Sequence, residues 1–194
     1  MRVFLAGATG VIGTRLVPLL VAAGHEVAGM TRSPEKVERL RALDAEPILC
    51  DVYDAEALNA AVVSFAPDAI VDQLTDLPDD RGRISELSDA GSRMRREGTR
   101  NLLAAAHAAG ASRFVAQSVA WPLQDDARDS VEDLEGAVLD AGGVVVRYGR
   151  FYGPGTYYEA EPPPPPRVHV DEAARRTVPL LDAASGIVVV SEGA

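Results

Sequence analysis

Three glycines near the start of the chain could cradle a phosphate group. Gly7, Gly10 and Gly13 stand in the segment GATGVIG, directly after the apolar residues 3–6. In a dinucleotide-binding turn the first glycine allows a tight bend, the second admits the pyrophosphate and the third lets helix pack on strand. No Gly-Lys-Ser/Thr follows, which excludes a P-loop. The spacing predicts a dinucleotide-binding turn, with a ligand-free glycine connector as the alternative.

The residue after the second apolar run indicates which dinucleotide would bind. NAD-specific turns place an acidic residue about 20 positions after the glycines, where it holds the ribose 2′-hydroxyl. Here Arg32 stands 19 residues after Gly13, and the next carboxylate is Glu35. A guanidinium pairs with a 2′-phosphate, so the sequence favours NADP(H) over NAD(H). A solvated surface role for Arg32 is the alternative.

Apolar runs alternate with helical patterns along most of the chain. Strands are predicted at residues 3–6, 25–30, 46–50, 69–73, 113–118, 144–149 and 186–190. Helices are predicted at residues 11–23, from an N-cap at Ser33 onward, and at 54–65, 92–109, 130–141 and 171–183, the last capped by Asp171. The alternation predicts an α/β fold, a Rossmann-type doubly wound parallel sheet in three α/β/α layers. We expect one NAD(P)-binding domain over residues 1–194, with a reduced C-terminal substrate region at about 153–194.

Composition favours a small-molecule protein of the cytoplasm. The 194 residues carry a formal charge of −10, which argues against nucleic acid because phosphate binding needs a positive surface. No apolar run reaches the roughly 20 residues that span a membrane. The single cysteine, Cys50, fits a reducing compartment. A homodimer is a possible assembly.

Five segments in a fixed order carry a resemblance to a known superfamily. They are GATGVIG, CDV at 50–52, GTRNLLAAAHAAGASRFVAQSV at 98–119, VVVRYGRFYGPGT at 144–156 and VHVDEAA at 168–174. Together they resemble the extended and atypical short-chain dehydrogenases/reductases, which include the NAD-dependent epimerase/dehydratase-like and NmrA-like groups.

The resemblance implies a role for particular residues of this chain. The pyrophosphate would be lined by the glycine-rich turn: Gly7, Thr9, Gly10, Val11, Ile12 and Gly13. Arg32 would meet the 2′-phosphate, and Asp51 with Val52 would flank the adenine. Gln73, Leu74 and Thr75 would lie beside the nicotinamide ribose. Ser118 would occupy the place of the catalytic serine or threonine, and residues 151–154 would form a turn beside cofactor and substrate.

The chain departs from that superfamily at its catalytic Tyr-x-x-x-Lys pair. No tyrosine lies between Ser118 and Arg147, and the only lysine is Lys36 by the second strand. Any general acid or base must therefore come from elsewhere. Tyr152 is the candidate that the resemblance places over the substrate, while Ser118 could donate a hydrogen bond to a substrate carbonyl. The other candidates have simpler structural explanations: Tyr148, Tyr157, Tyr158, His107 and His169.

Two further polar segments of the chain are interpreted from their composition. The acidic run at residues 125–135 is interpreted as a solvated helix start rather than a metal site. Residues 76–89 are interpreted as a mobile lid or disordered loop.

The favoured function is an NADP(H)-dependent oxidoreductase or epimerase/dehydratase-like enzyme. The alternatives are a non-redox dehydratase, isomerase or cyclase, and an NmrA-like nucleotide-binding protein without catalysis.

Overall fold

The computed structural model describes residues 1–78, 80–83 and 88–193 and centres on a seven-stranded parallel sheet. Its strands are β1 Arg2–Ala6, β2 Glu26–Thr31, β3 Glu46–Leu49, β4 Ala69–Asp72, β5 Arg113–Val119, β6 Val144–Tyr148 and β9 Gly186–Val190. Their order is β3-β2-β1-β4-β5-β6-β9, which reverses direction between β1 and β4. This confirms the Rossmann-type fold, in which ligands bind at the carboxyl ends of the strands near that reversal.

Helices cover both faces of the sheet. They are α1 Gly13–Ala22, α2 Val37–Arg41, α3 Ala55–Phe65, α4 Ser88–Arg93, α5 Thr99–Ala109, α6 Asp125–Asp140 and α7 Val170–Thr177. A π-helical segment, Met94–Gly98, joins α4 to α5, and short 3-10 turns cover Pro34–Lys36 and Val178–Asp182. None of the helices in the described part of the chain is both long and apolar enough to cross a bilayer.

The hydrophobic core is divided in two by the sheet. Val3 and Leu5 of β1 pack on the side of α1 and α7, whereas Phe4 and Ala6 pack on the side of α3, α5 and α6. This division follows from the geometry of a strand, whose successive side chains point to opposite faces. The three predicted layers are therefore confirmed.

The chain after β6 differs from its prediction. β7 Arg150–Tyr152 and β8 Arg167–His169 form a separate two-stranded parallel sheet, which the sequence analysis did not predict. Nδ1 of His169 accepts a hydrogen bond from the Asp171 N–H at 3.3 Å, so His169 caps α7 and the predicted cap at Asp171 is wrong. The helix ends at Thr177 because Pro179, just beyond it, has no N–H to donate.

Other boundaries shift by a few residues. α1 begins at Gly13 rather than 11, α4 at Ser88 rather than 92, and α6 at Asp125 rather than 130. Ser33 occupies the N-cap position, but its side chain makes no capping hydrogen bond. The predicted lid at residues 76–89 lies partly outside the described residues.

Candidate cofactor site and substrate pocket

Separate steric reasons require a glycine at position 7 and at position 13 of the glycine-rich turn. Gly7 has a φ of +80°, and a Cβ there would lie 2.6 Å from the carbonyl oxygen of Gln73 at the end of β4. A Cβ on Gly13 would lie 2.1 Å from the oxygen of Gly7, so α1 can pack this close only without a side chain. Both glycines are therefore fixed by packing within the protein.

Gly10 is different, because it is exposed and faces open space. A Cβ there would meet only the Gly7 oxygen, at 3.3 Å. Among the described residues, nothing accepts a hydrogen bond from the backbone N–H of Val11 or Ile12, which precede α1. Ile12 is buried and Val11 exposed. An open glycine beside unpaired N–H groups at a helix N-terminus fits the pyrophosphate of a dinucleotide.

The turn is tied to the end of β2. The hydroxyls of Thr9 and Thr31 lie 3.3 Å apart, and Thr31 also accepts a hydrogen bond from the Ser33 N–H at 3.2 Å. This places Arg32 beside the glycine-rich turn, and its contact with a 2′-phosphate stays a prediction. Its guanidinium, however, donates to the Asp76 carboxylate at 2.7 Å. This hydrogen bond raises the pKa of Arg32.

The predicted adenine end follows β3. Asp51 is exposed and accepts the Tyr53 N–H at 3.0 Å, while Val52 is buried and its oxygen accepts the Asn101 amide at 2.9 Å. The Arg93 guanidinium stacks on the Tyr53 ring at 3.9 Å. The buried Tyr53 hydroxyl has no hydrogen-bond partner within the described residues.

The segment after β4 is anchored by a buried carboxylate. Asp72 accepts hydrogen bonds from the Leu74 N–H and the Thr99 hydroxyl, both at 3.0 Å. Burial raises the pKa of the Asp72 carboxyl to about 6, although these two donors partly oppose the effect. Gln73 is buried and bonds the Tyr148 hydroxyl at 3.3 Å, whereas Thr75 is exposed. Leu74 and Thr75 thus reach the ligand edge of the sheet, and Gln73 points inward.

Ser118 belongs to a buried polar cluster that the sequence analysis missed. Its hydroxyl donates to Oε1 of Glu135 on α6 at 2.5 Å. Arg147 on β6 donates to both oxygens of the same carboxylate, at 2.8 and 2.5 Å. The side chain of Glu135 is only 7% exposed, against 39% for Arg147. The interpretation of residues 125–135 as a solvated run is therefore wrong for Glu135, although the helix does begin at Asp125 with an acidic first turn.

This cluster changes what Ser118 can do. Burial would raise the pKa of the Glu135 carboxyl, but the hydrogen bonds from Arg147 and Ser118 and the charge of Arg147 hold it below its ordinary value. The carboxylate therefore stays ionised and accepts a hydrogen bond from the serine hydroxyl. Ser118 was predicted to donate a hydrogen bond to a substrate carbonyl. It cannot do so while its hydroxyl donates the same proton to Glu135.

A cavity of about 250 Å³ lies beside this cluster. It is lined by residues 119–123 after β5, by one side of α6, and by Arg147: Val119, Ala120, Trp121, Pro122, Leu123, Arg128, Val131, Glu132, Glu135 and Arg147. Trp121 lines this pocket, and Arg150 stacks on its ring at 4.8 Å. On α6 the cavity is lined by Arg128, Val131, Glu132 and Glu135, and no tyrosine or lysine occurs among its lining residues.

Tyr152 lies at a different cavity. Its hydroxyl donates to Glu192, and its ring contacts His169 edge-on at 5.1 Å. The surrounding cavity of about 290 Å³ is formed by β8, α7 and the residues after β9: Tyr152, Val168, His169, Glu172, Arg176, Ser191, Glu192 and Gly193. It shares no lining residue with the cavity beside Ser118. The structure does not bring the two predicted catalytic residues together, and the catalytic role of Tyr152 stays a prediction.

Arg15 connects the glycine-rich turn to the C-terminal region. Its guanidinium donates to Asp171 at 2.6 Å, to the Pro154 oxygen at 2.5 Å and to the Val11 oxygen at 2.7 Å. The turn at residues 151–154 is thereby held beside α1, and its position beside cofactor and substrate stays a prediction. This contact could not be predicted from the sequence, because Arg15 and Asp171 are 156 residues apart.

Among the remaining candidates for an acid or base, the structure describes the surroundings of Tyr148, Tyr158 and His107. Tyr148 is buried, and its hydroxyl lies 2.6 Å from that of Thr177. Burial raises the pKa of Tyr148 to about 12, which makes it a poor proton donor at neutral pH. His107 is exposed on α5, and Arg81 stacks on the Tyr158 ring at 4.6 Å.

Comparison with known proteins gives one family and several relatives. Residues 7–149 match the family described as NAD(P)H-binding. A 3-diazoavenalumate denitrifying reductase from Streptomyces is 41% identical over 183 residues, which is 81% of this chain and 59% of that protein. A probable NADP-dependent dehydrogenase from Dichelobacter nodosus is 42% identical over 67 residues, 31% of this chain and 60% of its own. Each of these matches spans about three fifths of the length of the relative.

Among solved structures, the UDP-Glc/GlcNAc 4-epimerase of Campylobacter jejuni superposes with a TM-score of 0.82 at 16% identity. The superposition covers 99% of this chain and 78% of the epimerase. At that identity the likeness establishes the fold alone.

Proposed function

Because this chain belongs to the NAD(P)H-binding family of the short-chain dehydrogenase/reductase superfamily, we propose that it binds NADP(H) and reduces a small molecule. The reduction is one that needs no proton from the enzyme. The observation that carries this proposal is the lining of the cavity beside α6, which contains neither a tyrosine nor a lysine.

The chemistry of the pocket restricts the substrate. When bound, the reduced nicotinamide supplies a hydride. A carbonyl that accepts hydride becomes an alkoxide and must be protonated, which typically makes a general acid worth a factor of about 10² to 10⁴. A diazonium group needs none, since R–N₂⁺ and H⁻ give R–H and N₂ with charge balanced. The name of the Streptomyces relative, a denitrifying reductase of a diazo compound, supports this substrate class for the present chain.

The lining of the cavity beside Ser118 fits a planar substrate with an acidic end. Trp121, Pro122 and Val131 offer apolar surface. Arg147 uses Nε and Nη2 for Glu135, and no partner for its Nη1 occurs among the described residues. A guanidinium held in this way presents its remaining N–H groups in a fixed direction, which suits a carboxylate. The substrate class is therefore a diazonium-bearing carboxylic acid.

Two features support NADP(H) over NAD(H). Arg32 follows β2 beside the glycine-rich turn, where the adenosine ribose of a bound dinucleotide would lie. The Dichelobacter relative carries the name of an NADP-dependent dehydrogenase. Residues 153–194 would complete the substrate side, with the turn at Pro154 held by Arg15. The cavity of about 290 Å³ around Tyr152 is not assigned a part in this reaction.

The direct test is transfer of deuterium from NADPH deuterated at the nicotinamide C4. We expect the purified chain to convert a benzenediazonium carboxylate to the corresponding acid, with deuterium at the carbon that lost nitrogen and one N₂ per NADPH oxidised. A panel of ketones and aldehydes should react at least about a hundredfold more slowly, because neither a tyrosine nor a lysine lines the cavity and Glu135 is held ionised.

Two controls separate the alternatives. Gly10→Val removes the cradle of the pyrophosphate and should abolish the reaction while leaving the pocket unchanged. Product formed after complete removal of nucleotide would favour a dehydratase, isomerase or cyclase. Efficient ketone reduction by the parent chain would contradict a reaction without an enzyme-supplied proton.

A further inference from the structure

The ion pair between Arg32 and Asp76 extends across the entrance of the candidate cofactor site. Arg32 directly follows β2, and Asp76 follows β4 by four residues. In the sheet, β1 lies between these two strands, and the glycine-rich turn follows β1. Because all three strands are parallel, their carboxyl ends share one edge. A contact of 2.7 Å between the two side chains therefore crosses above the turn that would hold the pyrophosphate.

Both ends of this bridge are held by the protein. Thr31 fixes the backbone next to Arg32 through its contact with Thr9 at 3.3 Å. Asp72 anchors the start of the segment that carries Asp76, through the Leu74 N–H. Asp76 itself is only 21% exposed, against 57% for Arg32. The carboxylate is thus the more enclosed partner, and the guanidinium is the one free to turn toward a ligand.

An acidic residue is missing from the end of β2 in the sequence, but Asp76 lies near that position in the folded chain. NAD-specific folds keep a carboxylate there for the ribose 2′-hydroxyl. Asp76 brings one to the same place from β4, 44 residues along the chain. A 2′-phosphate would compete with this carboxylate for Arg32 and would be repelled by it, whereas a 2′-hydroxyl could donate to it.

We propose that Asp76 is a specificity-determining residue of the cofactor site, which holds the Arg32 guanidinium over the glycine-rich turn and must release it when a 2′-phosphate binds. Asp76 lowers the affinity for NADP(H) and leaves NAD(H) able to bind. This inference rests on the proposed function, since it concerns the dinucleotide that the turn would hold.

The experiment compares NADP⁺ and NAD⁺ by calorimetric titration of the full chain and of Asp76→Asn. An exposed ion pair changes an equilibrium by up to about fivefold. We therefore expect Asp76→Asn to bind NADP⁺ about three- to fivefold more tightly, while NAD⁺ changes by less than about twofold. Glu35→Gln is the matched control, because it removes an exposed carboxylate three residues from Arg32 that takes no part in the pair. It should alter the two affinities equally.

A second background tests whether Asp76 acts through Arg32. In Arg32→Gln the gain from Asp76→Asn should disappear, since the two side chains are directly coupled. An equal gain in that background would show general charge repulsion and overturn the inference, as would an unchanged ratio of affinities in Asp76→Asn. A parent chain that binds neither nucleotide at millimolar concentration would instead overturn the proposed function, and this inference with it.

Discussion

The hydroxyl of Ser118 and the carboxylate of Glu135 are joined by a hydrogen bond of 2.5 Å between β5 and α6. Arg147 completes the arrangement by binding the same carboxylate from β6, in register with Ser118. Three elements at the floor of the candidate pocket are thus fixed to one another through a single buried carboxylate. The arrangement has consequences for both stability and turnover.

Removal of the Glu135 carboxylate should destabilise the fold. Glu135→Ala leaves the half-buried Arg147 and the buried Ser118 without their partner, at a cost of about 2–4 kcal/mol in the free energy of unfolding. Urea denaturation measures this cost. Glu132→Ala, an exposed position on the same helix, should change stability by less than about 0.5 kcal/mol. Equal costs for the two variants would mean that the cluster adds nothing to stability.

Loss of the Ser118 hydroxyl should affect turnover only modestly. An oxyanion donor typically contributes a factor of about 10² to 10³. The Ser118 proton is already held by Glu135, so we expect Ser118→Ala to lower kcat by less than about tenfold and stability by about 1 kcal/mol. Steady-state kinetics and denaturation test both values. A hundredfold loss of kcat at unchanged stability would restore the donor role.

Two glycines of the first turn should respond differently to a side chain. Gly10→Val should keep the native circular dichroism spectrum and lose dinucleotide binding, because its side chain would occupy open space at the pyrophosphate position. Gly13→Ala should fail to fold normally, since its Cβ would lie 2.1 Å from the Gly7 oxygen. Titration with NADPH tests the first variant and thermal denaturation the second. Retained binding in a well-folded Gly10→Val would identify the turn as a connector.

The buried Asp72 should make stability depend on pH. Its pKa is about 6 in the folded chain against 3.8 as the ordinary value, so the folded state binds the proton more tightly than the unfolded state. Stability should therefore fall as the pH rises from about 4 to about 6, by at most about 3 kcal/mol.

Asp72→Asn is the matched variant, because an amide keeps an acceptor for Leu74 and carries no charge. Its melting temperature should equal that of the parent near pH 4 and exceed it at pH 7 and above. Parallel melting curves across the whole pH range would show that Asp72 contributes nothing to the pH dependence.

The sequence by itself determined the fold class and the glycine-rich turn. Both depend on short-range rules: apolar residues recur with the period of a strand or helix, and a glycine is needed where φ is positive or backbones touch. Gly7 and Gly13 meet those conditions in the structure. The absence of a Tyr-x-x-x-Lys pair could likewise be read from composition, because the chain has one lysine.

Only the tertiary structure decided which charges are paired. Glu135 stands in an acidic run and looks like its solvated neighbours, yet packing of α6 turns it inward toward Ser118 and Arg147. Arg32 predicted a 2′-phosphate site, but its contact with Asp76 joins residues 44 positions apart. Such contacts leave no periodic signal, since they depend on which strands become neighbours in the sheet rather than on local conformation.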